Sequence, residues 1–317
     1  HLRKVTMIPQ KKGEKLWING KVFRGIFEFW PEKRGGFCVV NVLNVEDYLR
    51  GVLPPEIGKR NKDEFAALKA QAVAARTYAL STKDKYADKE YDLINDIRDQ
   101  VYTGIAGETD QTDKAISKTR GEALTYWGEL IQAYYHSTCS GQTENIEEVW
   151  EREPIPYLRS VKDADFCHWS KFYDWNELFD TAELLQNIRS YLAENNRPTG
   201  LVGDTLRDLK ITAKTTTGRV RSVTVTTDKG SIILHKDQIR WAFGRAGTQG
   251  IMRSTNFTLD LERNGDGSVG KVHVTGYGYG HGVGMCQCGA IGMARAGFDY
   301  QAILKNYYTG VKIEKLY

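Results

Sequence analysis

The sequence predicts an α+β fold of mixed sheets around one alanine-rich core helix. Three observations carry this expectation. Residues 16–43 read as strands with a hairpin turn at Asn19-Gly20. Residues 63–83, "DEFAALKAQAVAARTYALSTK", have helical spacing and many alanines. Residues 209–234 and 257–276 alternate apolar and polar side chains between glycine turns.

Each element follows from local chemistry. "FCVVNVL", residues 37–43, is a continuous apolar run and reads as a buried strand carrying Cys38. A helix over 45–53 is capped by Asn44, with Glu46 and Asp47 in its first turn. Val45, Tyr48, Leu49, Val52 and Leu53 share its apolar face. Pro54-Pro55 is expected to stop it, leaving Glu56 just beyond. In the alanine helix, Phe65, Leu68, Ala72, Ala75 and Ala79 form one stripe. Lys69, Val73 and Arg76 share another face, where the Lys and the Arg either need partners or form a solvated flank.

Residues 92–104 read as a loop and 111–118 as a short helix. Residues 123–138 give two strands around Gly128 that end at His136, and 170–200 reads as helical and polar. Three strands follow, with turns at Thr217-Gly218 and Lys229-Gly230, then a helical turn over 235–244. A strand pair brackets residues 264–267, and the chain closes with two short helices and a strand. There is no long repeat and no low-complexity tract.

The 317 residues carry a net charge of +4 without clustered Lys/Arg runs, so a nucleic-acid partner is not expected. No apolar run reaches the ~18 residues of a membrane span. The chain opens on His1 rather than Met, which reads as a processed or truncated form. Five cysteines, Cys38, Cys139, Cys167, Cys286 and Cys288, leave three choices: a metal site, one or two disulfides, or buried thiols.

Three stretches are chemically distinctive. In "GYGYGHGVGMCQCGA", residues 276–290, every second residue from Gly276 to Gly284 is glycine. The spacing matches neither the dinucleotide fingerprint nor the P-loop. In an extended backbone Tyr277, Tyr279 and His281 would project on one side, which suits a sugar; a tight structural strand is the plain alternative. Glu56 sits between Leu53 and Ile57, an apolar setting that raises a carboxyl pKa and suits a general acid. "YYHSTCSGQTE", residues 134–144, offers a Cys/His nucleophile and base, a His136/Cys139 metal pair, or a polar turn.

Taken together the chain resembles the SpoIID/LytB family, the stage II sporulation protein D type lytic transglycosylases of the bacterial cell wall. The segments "VNVLNVEDYLRGVLPPEI", "ALKAQAVAARTYAL", "DQVYTG", "YYHSTCSGQTENIEEVW", "PYLRSV" and "GYGHGVGMCQCGAIGMARAGFDYQAILKNYYTG" recur in the family's order. The resemblance implies non-hydrolytic cleavage of peptidoglycan glycan strands, particularly strands stripped of stem peptides. One carboxyl first protonates the glycosidic oxygen. It then deprotonates the muramoyl C6 hydroxyl, which closes a 1,6-anhydro ring. Its pKa should therefore lie near neutrality.

By the same resemblance Glu56 is the catalytic residue. Lys69, Arg76, Gln100, Tyr102, His136, Ser137, Thr138, Tyr279, His281 and Gln287 are the expected glycan contacts. The resemblance also implies a metal, since some members of the family bind zinc near the active site through Cys and His. A structural zinc on His136, Cys139, Cys167 and Cys286 is accordingly expected, with Cys288 and His168 in reserve; the chemistry needs no metal. A Cys139–Cys286 disulfide or free thiols are the alternatives. If residues 286–288 are extended, both cysteines face one side; if helical, they point ~200° apart. Expected partners are glycan strands and, through the LytB-type enhancers, a cell-wall amidase or other sporulation wall-remodelling proteins. The location implied is extracytoplasmic, anchored by an N-terminal segment outside this chain. The expected organisation is one SpoIID-type unit over 1–317. It has N-terminal strands over 1–40, a core of 41–160 plus 270–317, a smaller lobe of 165–265, and a catalytic cleft between core and lobe.

Overall fold

A computed structural model of the chain describes residues 4–11, 13–33, 35–83, 85–248 and 250–317. In chain order the first elements are β1 (Val5–Met7), β2 (Leu16–Ile18), β3 (Lys21–Phe23), β4 (Ile26–Pro31), β5 (Phe37–Val42), α1 (Val45–Ile57), α2 (Phe65–Ser81) and α3 (Asp110–Lys118). Then come β6 (Glu122–Tyr126), β7 (Glu129–Leu130), β8 (Tyr135–His136), α4 (Ile146–Val149), β9 (Asp174–Asp180), α5 (Thr181–Glu194), β10 (Leu206–Lys214), β11 (Val220–Thr227) and β12 (Gly230–His235). The last are α6 (Gln238–Phe243), β13 (Phe257–Arg263), β14 (Val269–Tyr277), β15 (Met285–Cys286), α7 (Gln287–Arg295), α8 (Tyr300–Tyr307) and β16 (Lys312–Lys315). The fold is α+β. Among the described residues the strands pair antiparallel except β8 with β15.

The chain forms two compact units, His1–Tyr134 with Met293–Tyr317, and Tyr135–Gly292. These boundaries differ from the expected ones: residues 135–160 and 270–292 group with the lobe. Backbone pairing explains the difference. β14 pairs along its length with β9, and β15 pairs with β8.

In the first unit α2 packs against α1, α3, α8 and β6. Its alanines let those elements approach, and Ala67, Ala70, Ala72, Ala74 and Ala75 have no exposed surface. A helix buried on all sides cannot leave a cation unpaired. Arg76 is fully buried and forms a two-pronged pair with Glu46 of α1, Nε to Oε1 and Nη2 to Oε2, both 2.8 Å. Its Nη1 donates to the Glu122 carbonyl at 3.1 Å. The Tyr317 hydroxyl (2.6 Å) and the Gly121 N–H (3.3 Å) also donate to Glu46 Oε1. Burial alone would raise the Glu46 carboxyl; Arg76 and Tyr317 outweigh it and hold the group below the usual carboxylate range.

The N-terminus of α1 forms as expected, with Asn44 Oδ1 accepting from Asp47 N–H at 3.0 Å. Its end does not. The helix continues through Pro54 and Pro55 to Ile57, so Glu56 lies in the last turn rather than beyond it. Proline removes an N–H and strands the carbonyl four residues back. Pro55 strands Gly51, whose carbonyl instead accepts from Thr103 N–H at 3.2 Å. Gly58, at φ 71°, then closes the helix onto the Pro54 carbonyl at 2.9 Å.

In the second unit, two three-stranded antiparallel sheets, β10-β11-β12 and β13-β14-β9, share one apolar core with α5 and α6. Phe179, Leu185, Ile188, Val223, Phe243 and Val272 are fully enclosed there. Burying each such side chain stabilises by about 1.5–3 kcal/mol. Residues 174–180 depart from the expected helix and form strand β9. Trp175 and Phe179 are buried on one face of the strand. Glu177 shares that face by its spacing and is paired with Arg253, while Leu178 on the other face is exposed. A carboxylate on the inner face and a leucine on the outer one mask the two-residue period.

β5 also departs from expectation, since the sequence reads it as buried. Phe37, Val39 and Val42 are exposed, and Cys38 is half-buried, because β5 is an edge strand of the small sheet β1-β4-β5. Among the described residues no helix is long and apolar enough to cross a membrane.

Replacing Arg76 with Met leaves Glu46 as a buried carboxylate without its cation. The expected cost is about 3–5 kcal/mol of stability, read as a lower calorimetric unfolding midpoint. The Glu46 carboxyl is depressed in the folded state. Its contribution is therefore present above the ordinary carboxylate pKa and is lost as pH falls through the depressed value. The Arg76→Met variant should show a smaller loss of stability on acidification than the parent.

Candidate functional site

In the first unit, residues 99–104 brace the end of α1. Glu56 is half-buried, and its Oε1 accepts from Val101 N–H at 3.0 Å. Gln100 is buried: its Oε1 accepts from the Tyr48 hydroxyl at 3.1 Å, and its Nε2 donates to the Ala75 carbonyl at 3.3 Å. Tyr102 stacks on Tyr48 with ring centroids 5.3 Å apart and donates its hydroxyl to Asn41 Oδ1 at 2.8 Å. Gly51 makes room for that ring, since a Cβ there would lie 2.4 Å from Tyr102 Cε2. Burial pushes the Tyr48 and Tyr102 phenols well up, so both stay protonated.

Three expected glycan contacts therefore have other work. Gln100 is enclosed, the Tyr102 hydroxyl is engaged by Asn41, and Arg76 is sealed against Glu46. Lys69 is half-buried, with its ammonium 4.3 Å from the centre of the Tyr300 ring, a cation–π contact.

In the second unit, the glycine stretch is not extended beyond β14. Gly278 and Gly280 have φ of 76° and 110°, a region that side chains rarely enter. They also permit close approach: a Cβ at Gly278 would lie 2.6 Å from the Thr138 carbonyl oxygen, and one at Gly280 2.7 Å from His136 Cβ. The expected common edge of Tyr277, Tyr279 and His281 is thereby broken. Tyr277 is exposed in β14, while Tyr279 is half-buried, 4.8 Å from the Phe172 ring and bonded through its hydroxyl to Arg245 at 3.0 Å. The stretch instead pins residues 136–138, with Thr138 and Tyr279 exchanging backbone hydrogen bonds of 2.9 and 2.8 Å.

The two histidines have fixed tautomers. His281 Nδ1 accepts from Val283 N–H at 3.1 Å, so its Nε2 carries the proton that bonds the Tyr135 carbonyl at 2.9 Å. His136 Nδ1 donates to the Val283 carbonyl at 3.2 Å, which leaves Nε2 as a bare acceptor. That Nε2 is buried with no hydrogen-bond partner among the described residues. Burial, then Arg240, lowers His281 to about 4; burial, then His281, lowers His136 well below its ordinary value. Both rings are neutral at neutral pH.

Ser137 is half-buried, with its hydroxyl 3.3 Å from that of Thr138. Thr138 is buried and shares a 2.8 Å hydrogen bond with Ser170. Gln287 is buried at the start of α7.

The cysteines gather without His136. Cys139, Cys167 and Cys286 are joined by Asp163, all four buried, with one ligand atom from each within 4.8 Å of the others. His136 is not in this group, because its ring lies toward His281, 5.5 Å away, with Nδ1 taken by Val283. Nor are the reserves. His168 packs on Tyr173 at 4.6 Å. The chain turns helical at Gln287, which carries Cys288 away from Cys286, and the Cys288 thiol accepts from the Thr138 hydroxyl at 3.4 Å.

All five cysteines are free thiols. The Cys139 and Cys167 sulfurs are 3.6 Å apart. Cys286 Sγ accepts two backbone N–H bonds, from Cys139 and Gly289, both 3.2 Å. Asp163 Oδ2 accepts from Cys167 N–H at 2.9 Å. Contacts from Cys139 and Cys286 hold the Cys167 thiol below the usual range, while burial pushes the other two up.

The family profile described as "Stage II sporulation protein" matches residues 33–126, and a domain of unknown function (DUF8618) matches 165–284. Stage II sporulation protein D of Bacillus subtilis is 32% identical over 87% of this chain and 76% of its own length. The chain belongs to the SpoIID/LytB family. An uncharacterized protein of Brachyspira hyodysenteriae is 34% identical, covering 93% of this chain and 73% of that protein. The amidase enhancer of Bacillus subtilis is 29% identical over 84% of this SpoIID-type chain and 40% of its own length.

Sequence reasoning misses the roles of Asp163 and Glu46. Asp163 lies four residues before Cys167, and that spacing is the one local signal.

Folded-state imidazoles that resist protonation destabilise the protein in acid. The unfolded chain binds protons near the ordinary histidine pKa, whereas His281 binds only near 4. Urea midpoints should accordingly fall between pH 6.5 and 4, values set by the ordinary histidine pKa of about 6.5 and the lowered one. His281→Asn should flatten that dependence; an unchanged slope would remove His281 as its source.

Proposed function

We propose that this SpoIID-type chain remodels the bacterial cell wall as a lytic transglycosylase, with Glu56 as its acid and then its base. The observation that carries the reading is the placement of Glu56, a half-buried carboxyl at a helix end with one oxygen held by a backbone N–H. The substrate class is the peptidoglycan glycan strand, particularly one free of stem peptides. Glu56 gives its proton to the glycosidic oxygen as the C1–O bond breaks. The resulting carboxylate takes the proton of the muramoyl C6 hydroxyl, whose oxygen bonds to C1. A 1,6-anhydro ring forms, no water is consumed, and Glu56 ends protonated again. Of the expected glycan contacts, the half-buried Lys69, Ser137, Tyr279 and His281 stay in this reading as candidates. An extracytoplasmic location belongs to the same proposal.

Glu56→Gln on purified denuded glycan strands should lower release of 1,6-anhydro products by at least about 100-fold, the usual scale of a lost general acid. Undiminished release would reject Glu56. The likeness to the amidase enhancer favours a second reading, a glycan-binding activator of a cell-wall amidase. In that case amidase stimulation survives Glu56→Gln, and the parent protein binds glycan without turnover.

The donor set at Cys139, Asp163, Cys167 and Cys286 fits zinc, which favours four thiolate, imidazole or carboxylate ligands. In this reading the ion is structural and ties together residues 139, 163–167 and 286; it takes no part in the proton transfers. Protein purified without added zinc should contain about one zinc per chain, and less than about 0.2 would sink the site.

A further inference from the structure

A buried cation without an ion pair among the described residues lies against the turn that carries Cys139. Arg219 is 2% exposed. Its Nη2 donates to the carbonyls of Cys139 at 2.9 Å and Gln142 at 3.3 Å, and its Nη1 has no hydrogen-bond partner among the described residues. The guanidinium lies against Gly282, where a Cβ would come within 3.1 Å of Cζ. Glu144 is also buried, but its oxygens already accept from Asn145 N–H and from the hydroxyls of Thr215 and Thr217. No ion pair joins it to Arg219 among the described residues, although of the charged groups around that guanidinium Glu144 acts on it most strongly through space.

A charge count gives this cation a purpose. Three thiolates and one carboxylate carry four negative charges, so a divalent ion leaves the centre at minus two. A net charge of that size is costly in a fully buried site without a compensating group. We propose that Arg219 is the resident countercharge of the metal centre, and a positioning residue for the turn that presents Cys139. The inference rests on the metal reading above. Its two carbonyl bonds flank Ser140 and Gly141, which have φ of 60° and 94°, so the same side chain fixes the backbone of that turn.

The test strips the parent protein, Arg219→Lys and Arg219→Gln of metal. Each is then titrated with cobalt(II) against a competing chelator while the thiolate-to-cobalt absorption band is followed. Lys keeps the charge and should bind within about threefold of the parent; Gln keeps donors but no charge and should bind at least about tenfold more weakly, the usual scale of an outer-shell loss. Gln binding as tightly as the parent, or more tightly than Lys, overturns the proposal. If Arg219→Gln fails to fold, Glu144→Gln supplies the second arm. Removing the other nearby anion should tighten cobalt binding, and weaker binding counts against the countercharge. A parent protein with no cobalt band sinks the metal reading itself, whereas equal affinities among metal-binding variants sink only the role of Arg219.

Discussion

The first unit depends on how it handles the two prolines that precede Glu56. Pro54 and Pro55 remove two backbone donors from the last turn of α1, and a helix missing those donors ordinarily frays or kinks. Here Thr103 N–H takes over the Gly51 carbonyl, and Val101 N–H from the same segment reaches Glu56. Gln100 and Tyr102 anchor that segment to Tyr48, Ala75 and Asn41. The carboxyl is thus positioned by a strand of irregular backbone rather than by its own helix. Rotation of the turn that carries Glu56 would break the Thr103 and Val101 bonds together.

The second unit solves a different problem, bringing backbones into close contact. Positive φ at Gly278 and Gly280 bends the chain after β14 so that it lies against residues 136–138. That contact sets β15 beside β8 and brings Cys286 to Cys139, with Cys139 N–H bonding directly to the Cys286 sulfur. Cys167 then arrives from the turn that starts at Asp163. The alternating glycines therefore matter to the thiol cluster as much as to any glycan.

Much of the fold is legible in the sequence because its elements are locally consistent. The Asn44 cap, the alanine helix, the turns at Gly218 and Gly230 and the closing helices all announce themselves within a few residues. What stays hidden is non-local. The rescue of Gly51 comes from 52 residues away, and the pairing of Glu46 with Arg76 spans 30. The strand character of 174–180 depends on two buried aromatic rings, Trp175 and Phe179, whose partners lie on other elements. His136 reads as a ligand because it stands three residues from Cys139. Its ring is instead turned aside by Val283, a residue 147 positions away.

The division of labour among charged groups is the remaining step. Under the proposed mechanism the carboxyl that gains and loses a proton needs access and a pKa that can move, and half-buried Glu56 has that access. Groups that must hold structure need the opposite. Arg76 and Glu46 are sealed together, and Arg219 is enclosed beside the thiols. Cationic residues that the motifs bring together in the sequence thus serve unlike ends. Lys69 and Arg76 lie seven residues apart on one helix, yet Lys69 meets an aromatic ring at partial exposure while Arg76 neutralises a buried carboxylate. Motif membership brings a residue into the right region of the fold; burial and partners then decide whether it meets substrate or holds the scaffold that does.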